Sequence, residues 1–173
     1  MNAVTQRDLE GKVALVVGGS RNAGAAMADA LAALGATTVI SYSSDDTSAA
    51  RTLDRMERHR VTVEAIRADA SEQREVDRLF QGVMRRFGHL DVVVHAPPVV
   101  TGTLLAEFTG SDFAQLRTLH ARSARNVLRA SALHMAEDGH FIALPASPPS
   151  DGPCRAYSAC KSGVERMVLS SAS

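Results

Sequence analysis

The segment from Val13 to Ala28, VALVVGGSRNAGAAMA, constrains this chain more than any other. Val13 to Val17 are five small or β-branched apolar residues, too few for a helix and enough for a buried strand. Gly18, Gly19, Ser20, Arg21, Asn22 and Gly24 break that pattern. Ala25, Ala26, Met27, Ala28, Ala30, Leu31 and Leu34 then run on as a helix, which Gly35 stops. A strand, a glycine-rich turn and a helix N-terminus together make a phosphate cradle. The backbone N–H groups of the turn and the positive end of the helix dipole are expected to face one spot.

The rest of the chain repeats the alternation of strand and helix. Ala36–Tyr42 reads as a second strand, and Asp45–Arg60 as a helix with Ala49, Ala50, Leu53, Met56 and Glu57 at helical spacing. Val61–Arg67 is a third strand. Ser71 is expected to cap a helix whose stripe is Val76, Leu79, Phe80, Val83, Met84 and Phe87, ended by Gly88. Leu90–Val94 is a fourth strand, stopped by Pro97 and Pro98. Thr109, with Asp112 three residues on, is placed to cap a long helix that keeps Phe113, Leu116, Leu119, Ala124, Val127, Leu128, Ala130 and Leu133 on its buried side. Gly139–Leu144 is a fifth strand, a proline-rich loop follows, and helix resumes from Ala156.

Strands apolar on both faces, alternating with helices, imply a parallel sheet covered on both sides. Right-handed crossovers and a phosphate loop after the first strand favour the doubly wound α/β arrangement, strand order 3-2-1-4-5. Ligands then sit at the carboxyl ends of the strands, where the order reverses between strands 1 and 4. The 173 residues suit a single domain over 1–173. Basic and acidic residues both number 19, a balance that argues against nucleic acid or an anionic membrane as the main partner. Cys154 and Cys160 have no companion ligands for a metal site and read as free thiols of a reducing compartment. The first residues lack the apolar core of a signal peptide, and no apolar run approaches a bilayer span; a cytoplasmic protein is expected.

The motifs resemble those of the short-chain dehydrogenase/reductase family, and in particular of its 3-oxoacyl-ACP-reductase-like members. Gly18 and Gly24 match the first and last glycine of T-G-x-x-x-G-x-G; Asn22 stands at the middle glycine and Val17 at the threonine. Asn is the non-glycine residue that best tolerates a left-handed conformation, so the turn can survive the exchange. Further resemblance lies in FGHLDVVVHAPP, in the Asp69 loop and in YSACKSGVE, similar to the family's YxASKAGVE. It implies a Rossmann-like fold, a nicotinamide dinucleotide and hydride exchange between a small-molecule carbonyl and an alcohol.

Cofactor residues follow from fold and resemblance together. An acid ending strand 2 would hold a ribose 2′-hydroxyl and repel a 2′-phosphate. Tyr42 stands there, followed by Ser43 and Ser44, while Arg21 projects from the glycine loop; hydroxyls and a guanidinium favour NADP(H) over NAD(H). Asp69 and Ala70 match the family's adenine contact, and Ser20 and Asn22 belong to the phosphate turn. At the catalytic end, Tyr157 and Lys161 lie four apart on one helical face. A lysine ammonium beside a phenol favours the phenolate, which lets tyrosine act as acid or base at the carbonyl oxygen.

Three departures from the family fall in the active site. Its N-N-A-G after strand 4 is His95-Ala96-Pro97-Pro98 here; its relay asparagine aligns with His120; its substrate serine aligns with Ala146, with Ser147 one place later. His95 either contacts the cofactor ribose or fills space. His120 either stands in for the asparagine, since imidazole donates and accepts hydrogen bonds, or is a packed helix histidine. Ser147 either supplies the missing hydroxyl or no serine acts. A catalytically impaired nucleotide-binding or oligomerisation module is the alternative to an enzyme. The family also implies a homodimer or homotetramer. VERMVLSSAS stops within an apolar-periodic helix where family members continue into two further strands and a substrate-covering loop, so the expectation is a C-terminally truncated chain.

Overall fold

A computed structural model describes residues 7–96, 109–111, 114, 118–144 and 166–169. The apolar run at 13–17 is strand β1 (Val13–Val17), and every one of its residues is buried. Helix α1 (Asn22–Ala33) returns over the sheet to β2 (Thr37–Tyr42); α2 (Asp46–Glu57) leads to β3 (Val63–Arg67) and α3 (Gln73–Phe87) to β4 (Val92–His95). A single π turn (Thr118–Arg122) runs into α4 (Ser123–His134), which leads to β5 (His140–Ala143). All neighbouring strands pair in parallel, in the order β3-β2-β1-β4-β5.

Alternation along β1 explains why the strand is apolar throughout. Val13, Leu15 and Val17 join Val76, Leu79, Phe80, Val83, Val127 and Ala130 in one core, beneath α3 and α4. Ala14 and Val16 join Ala28, Leu31, Ala32, Ile40 and Met56 in the other, beneath α1 and α2. Leu15 sits opposite Val39 on one side and Val93 on the other. A side chain of that size, fully buried, contributes roughly 1.5–3 kcal/mol. Parallel pairing of β1 with both β2 and β4 opens a crevice at the carboxyl ends of the strands.

Several local expectations need correction. Ser71 does not cap α3; Glu72 stands at the N-cap, without a side-chain cap bond, because Ser71 turns back to Asp69. In α2, Ala49 and Met56 are buried, Ala50 and Glu57 are exposed, and Thr52 takes the third buried place, its hydroxyl donating to the Ser20 carbonyl at 3.0 Å. Leu133 is 65% exposed rather than buried. Strand β4 begins at Val92, after Asp91, whose carboxylate accepts the Val13 N–H (2.9 Å) and pairs with Lys12 (2.8 Å). Gly88 ends α3 in the left-handed conformation, as the helix stop requires. The proline stop at 97–98, the Thr109–Asp112 cap as a pair, and residues 145–165 lie outside the described residues. Among the described residues no helix is long and apolar enough to cross a membrane.

Candidate functional site

The turn between β1 and α1 is closed by backbone. Gly18 takes φ 84°, a conformation strained for any residue with a Cβ, and its N–H and that of Gly19 both donate to the Ser41 carbonyl, at 3.1 and 3.0 Å. Those two donors therefore hold β2 rather than face outward, which narrows the expected cradle to the first turn of α1. Asn22 adopts the left-handed conformation its identity allows, φ 49°. Gly24 is packed so closely that a Cβ there would overlap the Gly18 carbonyl oxygen and lie 3.1 Å from Ala96 Cβ. Helix α1 starts with neither a side-chain cap bond nor an acid in its first turn. Its leading N–H groups and positive dipole end are thus left to an anion.

At the end of β2 the groups are charged and mutually engaged. Arg21 Nη1 lies 3.4 Å from Asp45 Oδ2. Asp45 caps α2, accepting from Ser48 N (2.9 Å) and Ser48 Oγ (2.7 Å). These Ser48 hydrogen bonds, with Arg21 and Arg51 nearby, outweigh the cost of desolvation and hold the Asp45 carboxyl below its ordinary range. Tyr42 is raised above the usual phenol range, first because its hydroxyl is bonded to the Asp46 carboxylate, then by desolvation and the charge of Asp46. Arg67 Nε donates to the Ser43 carbonyl at 2.9 Å.

A small cavity of about 70 Å³ lies at the head of the crevice, lined by Val17, Gly18, Tyr42, Asp69, His95 and Ser123 among others. Its β3–α3 rim is braced from both sides. Asp69 accepts from Ser71 N and Ser71 Oγ, each at 2.8 Å, and its own N–H donates to Glu75 Oε2 at 2.8 Å. From α4, the buried Asn126 amide donates to the Ala70 and Ser71 carbonyls at 3.1 and 3.0 Å.

The far wall is a buried polar chain. His95 ends β4 at 1% exposure, with Nε2 3.0 Å from Ser123 Oγ; Ser123 in turn donates to the His120 carbonyl at 3.3 Å. His120 is fully buried within the π turn. Such turns are rare and frequently occur at functional sites.

Comparison with known proteins decides the family. A family model described as enoyl-(acyl carrier protein) reductase matches residues 18–173. The chain is 33% identical over 169 residues to the hydroxynaphthalene reductase-like protein Arp2 of Metarhizium brunneum, covering 96% of this chain and 63% of that protein. It is 31% identical over 163 residues to the short chain dehydrogenase claC of Passalora fulva, covering 92% of this chain and 61% of the relative. The crystal structure of a short chain dehydrogenase from Burkholderia cenocepacia in complex with NADP superposes with a TM-score of 0.85 at 28% identity, over 94% of this chain and 67% of that one. The chain belongs to the short-chain dehydrogenase/reductase family. It spans about 63% of the length of the first curated relative.

In this short-chain dehydrogenase/reductase, Gly18, Ser20, Arg21, Asn22, Gly24, Tyr42, Ser43, Ser44, Asp69, Ala70, His95 and Ala96 lie on or beside the loops that follow β1, β2, β3 and β4, at one end of the sheet. His120 reaches the same crevice wall through Ser123. Ser147, Tyr157 and Lys161 lie outside the described residues. Ser123, Asn126 and the acid pair Asp45–Asp46 escaped the sequence reading. Two of these carried a signal: Ser123 and Asn126 are polar residues three apart on a helix whose neighbours Ala124, Val127 and Ala130 form the buried stripe. Among the described residues no three His, Cys, Asp or Glu side chains gather to hold a metal ion.

Proposed function

We propose that this protein is an NADP(H)-dependent oxidoreductase that interconverts a small-molecule carbonyl and its alcohol. The observation that carries the reading is the uncapped N-terminus of α1 above the closed Gly18–Gly24 turn, at the point where the strand order reverses. A dinucleotide fits this arrangement. The first turn of α1 would hold its pyrophosphate, Asp69 with the Ala70 loop its adenine, and Arg21 with Ser43 and Ser44 a 2′-phosphate. His95 and Lys161 are the residues for the ribose. The NADP described with the Burkholderia cenocepacia relative supports the same choice.

Bound nicotinamide supplies or accepts the hydride. The chain's own residues manage the proton. Tyr157 holds the proton that goes to the carbonyl oxygen in reduction and receives it from the alcohol in oxidation. Lys161, four residues on in the sequence, favours the phenolate by its charge. Ser147 orients the substrate oxygen. His120 replaces the asparagine of the proton relay, held in its π turn by the Ser123 bond to its carbonyl. Self-association through α4, where Leu133 is 65% exposed, belongs to the same reading.

Titration with NADPH, followed by the nucleotide's fluorescence, tests the proposal. Saturable binding is expected with a dissociation constant between about 1 μM and 1 mM, the span of ordinary enzyme ligands. No saturable binding of NADPH or NADH would overturn it.

A further inference from the structure

The cation best placed for a 2′-phosphate is already in the hands of an acid from this chain. Arg21 Nη1 is 3.4 Å from Asp45 Oδ2, and the neighbouring Asp46 carboxylate acts on the Tyr42 phenol, raising it. The two partners of the first pair are not equally free to move. Asp45 is fixed at the head of α2 by Ser48 N on one oxygen and Ser48 Oγ on the other. Arg21, with its side chain 55% exposed on a loop, is the member that can turn away. Arg51, Arg55 and Arg67 are the other cations of this corner: Arg51 acts on Asp45, Arg67 acts on Tyr42, and Arg55 donates to the Ala25 carbonyl (2.9 Å) and lies 3.6 Å from Asp29. Arg67 also spends its Nε–H on the Ser43 carbonyl, which leaves Arg21 as the cation of the glycine loop itself.

We infer that Asp45 is a selectivity-determining residue that acts through Arg21: by holding the guanidinium in an ion pair, it narrows the preference for NADP(H) over NAD(H). The inference rests on the proposal that a dinucleotide occupies the crevice. A 2′-phosphate carries close to two negative charges and must draw Arg21 off a carboxylate that stays where it is. NAD(H) has no group at that position and is indifferent to the pair. Asp45 is therefore a positioning residue, and its signature is a change in the ratio of two affinities rather than in both together.

The cap and the charge can be separated, because Asn and Ser cap helices as well as Asp does. NADPH and NADH are titrated by fluorescence against the parent, Asp45→Asn, Arg21→Ala and the double variant. Asp45→Asn should tighten NADPH about threefold to fivefold, the scale of an exposed ion pair, and leave NADH within about twofold. In the Arg21→Ala background the same exchange should move NADPH by less than about twofold. Asp45→Ser should repeat the result, and its NADH affinity shows that the fold is kept. An unchanged NADPH-to-NADH ratio in both Asp45 variants would overturn the inference while leaving the dinucleotide reading intact. A gain that persists without Arg21 would also overturn it, since Asp45 would then act by repelling the phosphate directly. A parent that binds neither nucleotide would overturn the dinucleotide reading, and this inference with it.

Discussion

Gly24→Ala isolates the contact on which the phosphate turn depends. The added methyl would overlap the Gly18 carbonyl oxygen, 3.0 Å from its carbon, and press on Ala96 Cβ at 3.1 Å. Neither obstacle is the tip of a flexible side chain: one is the turn's own backbone and the other ends the crevice wall after β4. Overpacking of this kind costs about 1–3 kcal/mol, and rigid backbone places Gly24 toward the upper end. The exchange returns about 0.5–1 kcal/mol of helix propensity, leaving a net loss of about 2 kcal/mol. For a domain of this size that lowers Tm by roughly 4–8 °C. Relief of the overlap displaces the Gly18 carbonyl from under α1, so dinucleotide affinity should fall about tenfold or more. Gly82→Ala is the matched control, with nothing within 4 Å of its Cβ in the middle of α3. It should raise Tm by roughly 1–4 °C and leave binding alone. Differential scanning calorimetry and NADPH titration on both variants decide the matter. A Gly24→Ala protein that melts and binds like the parent would refute the packing argument.

Three further outcomes follow from the same contacts. Burial alone would raise Asp91, but its bonds to Lys12 and the Val13 N–H prevail and lower it below 3.8. Its contribution is therefore full above that unfolded value and is lost as pH falls through the native one, so Asp91→Asn should shrink the gap between urea midpoints at pH 7 and pH 3; an unaltered gap would remove Asp91 as a source of acid sensitivity. Asn126→Leu takes two donors from the Ala70 and Ser71 carbonyls and should weaken NADPH and NADH by equal factors, read by calorimetric titration; unequal factors would place its action at the phosphate end instead. His120→Asn should keep or raise turnover and His120→Leu should lower it without unfolding; if both act only through a lowered Tm, with turnover per folded molecule unchanged, His120 leaves the mechanism.

How far the chain could be read before its structure depended on whether the information was local. Val13–Val17 is apolar at every position because both faces of β1 are covered, and a run of five says so directly. The order of the sheet was legible for the same reason: a phosphate turn after the first strand fixes where the order reverses. Contacts between segments were hidden. Arg21 looks available to a phosphate until the head of α2 brings Asp45 beside it, 24 positions along the chain. Ser71 has the chemistry of a helix cap, yet Asp69 competes for its N–H and hydroxyl and takes both. Leu133 fits the helical stripe of Ala124, Val127 and Ala130 at 3.6 residues per turn, but it stands one residue before the end of α4, and spacing alone does not say whether another element covers a helix's last turn.

If the proposed function holds, this chain carries out proton-coupled hydride exchange with Tyr157 as the acid/base, and turnover of Tyr157→Phe beside the parent tests it. NADPH oxidation is followed at saturating nucleotide, against a panel of ketones and quinones, in the parent and in Tyr157→Phe, with NADPH affinity measured on the same samples. Turnover by the parent is expected, reduced about 10²-fold or more in Tyr157→Phe while NADPH affinity stays within about twofold, because the exchange removes the hydroxyl alone. A parent that binds NADPH yet reduces no carbonyl, or a Tyr157→Phe variant that turns over like the parent, would contradict the account.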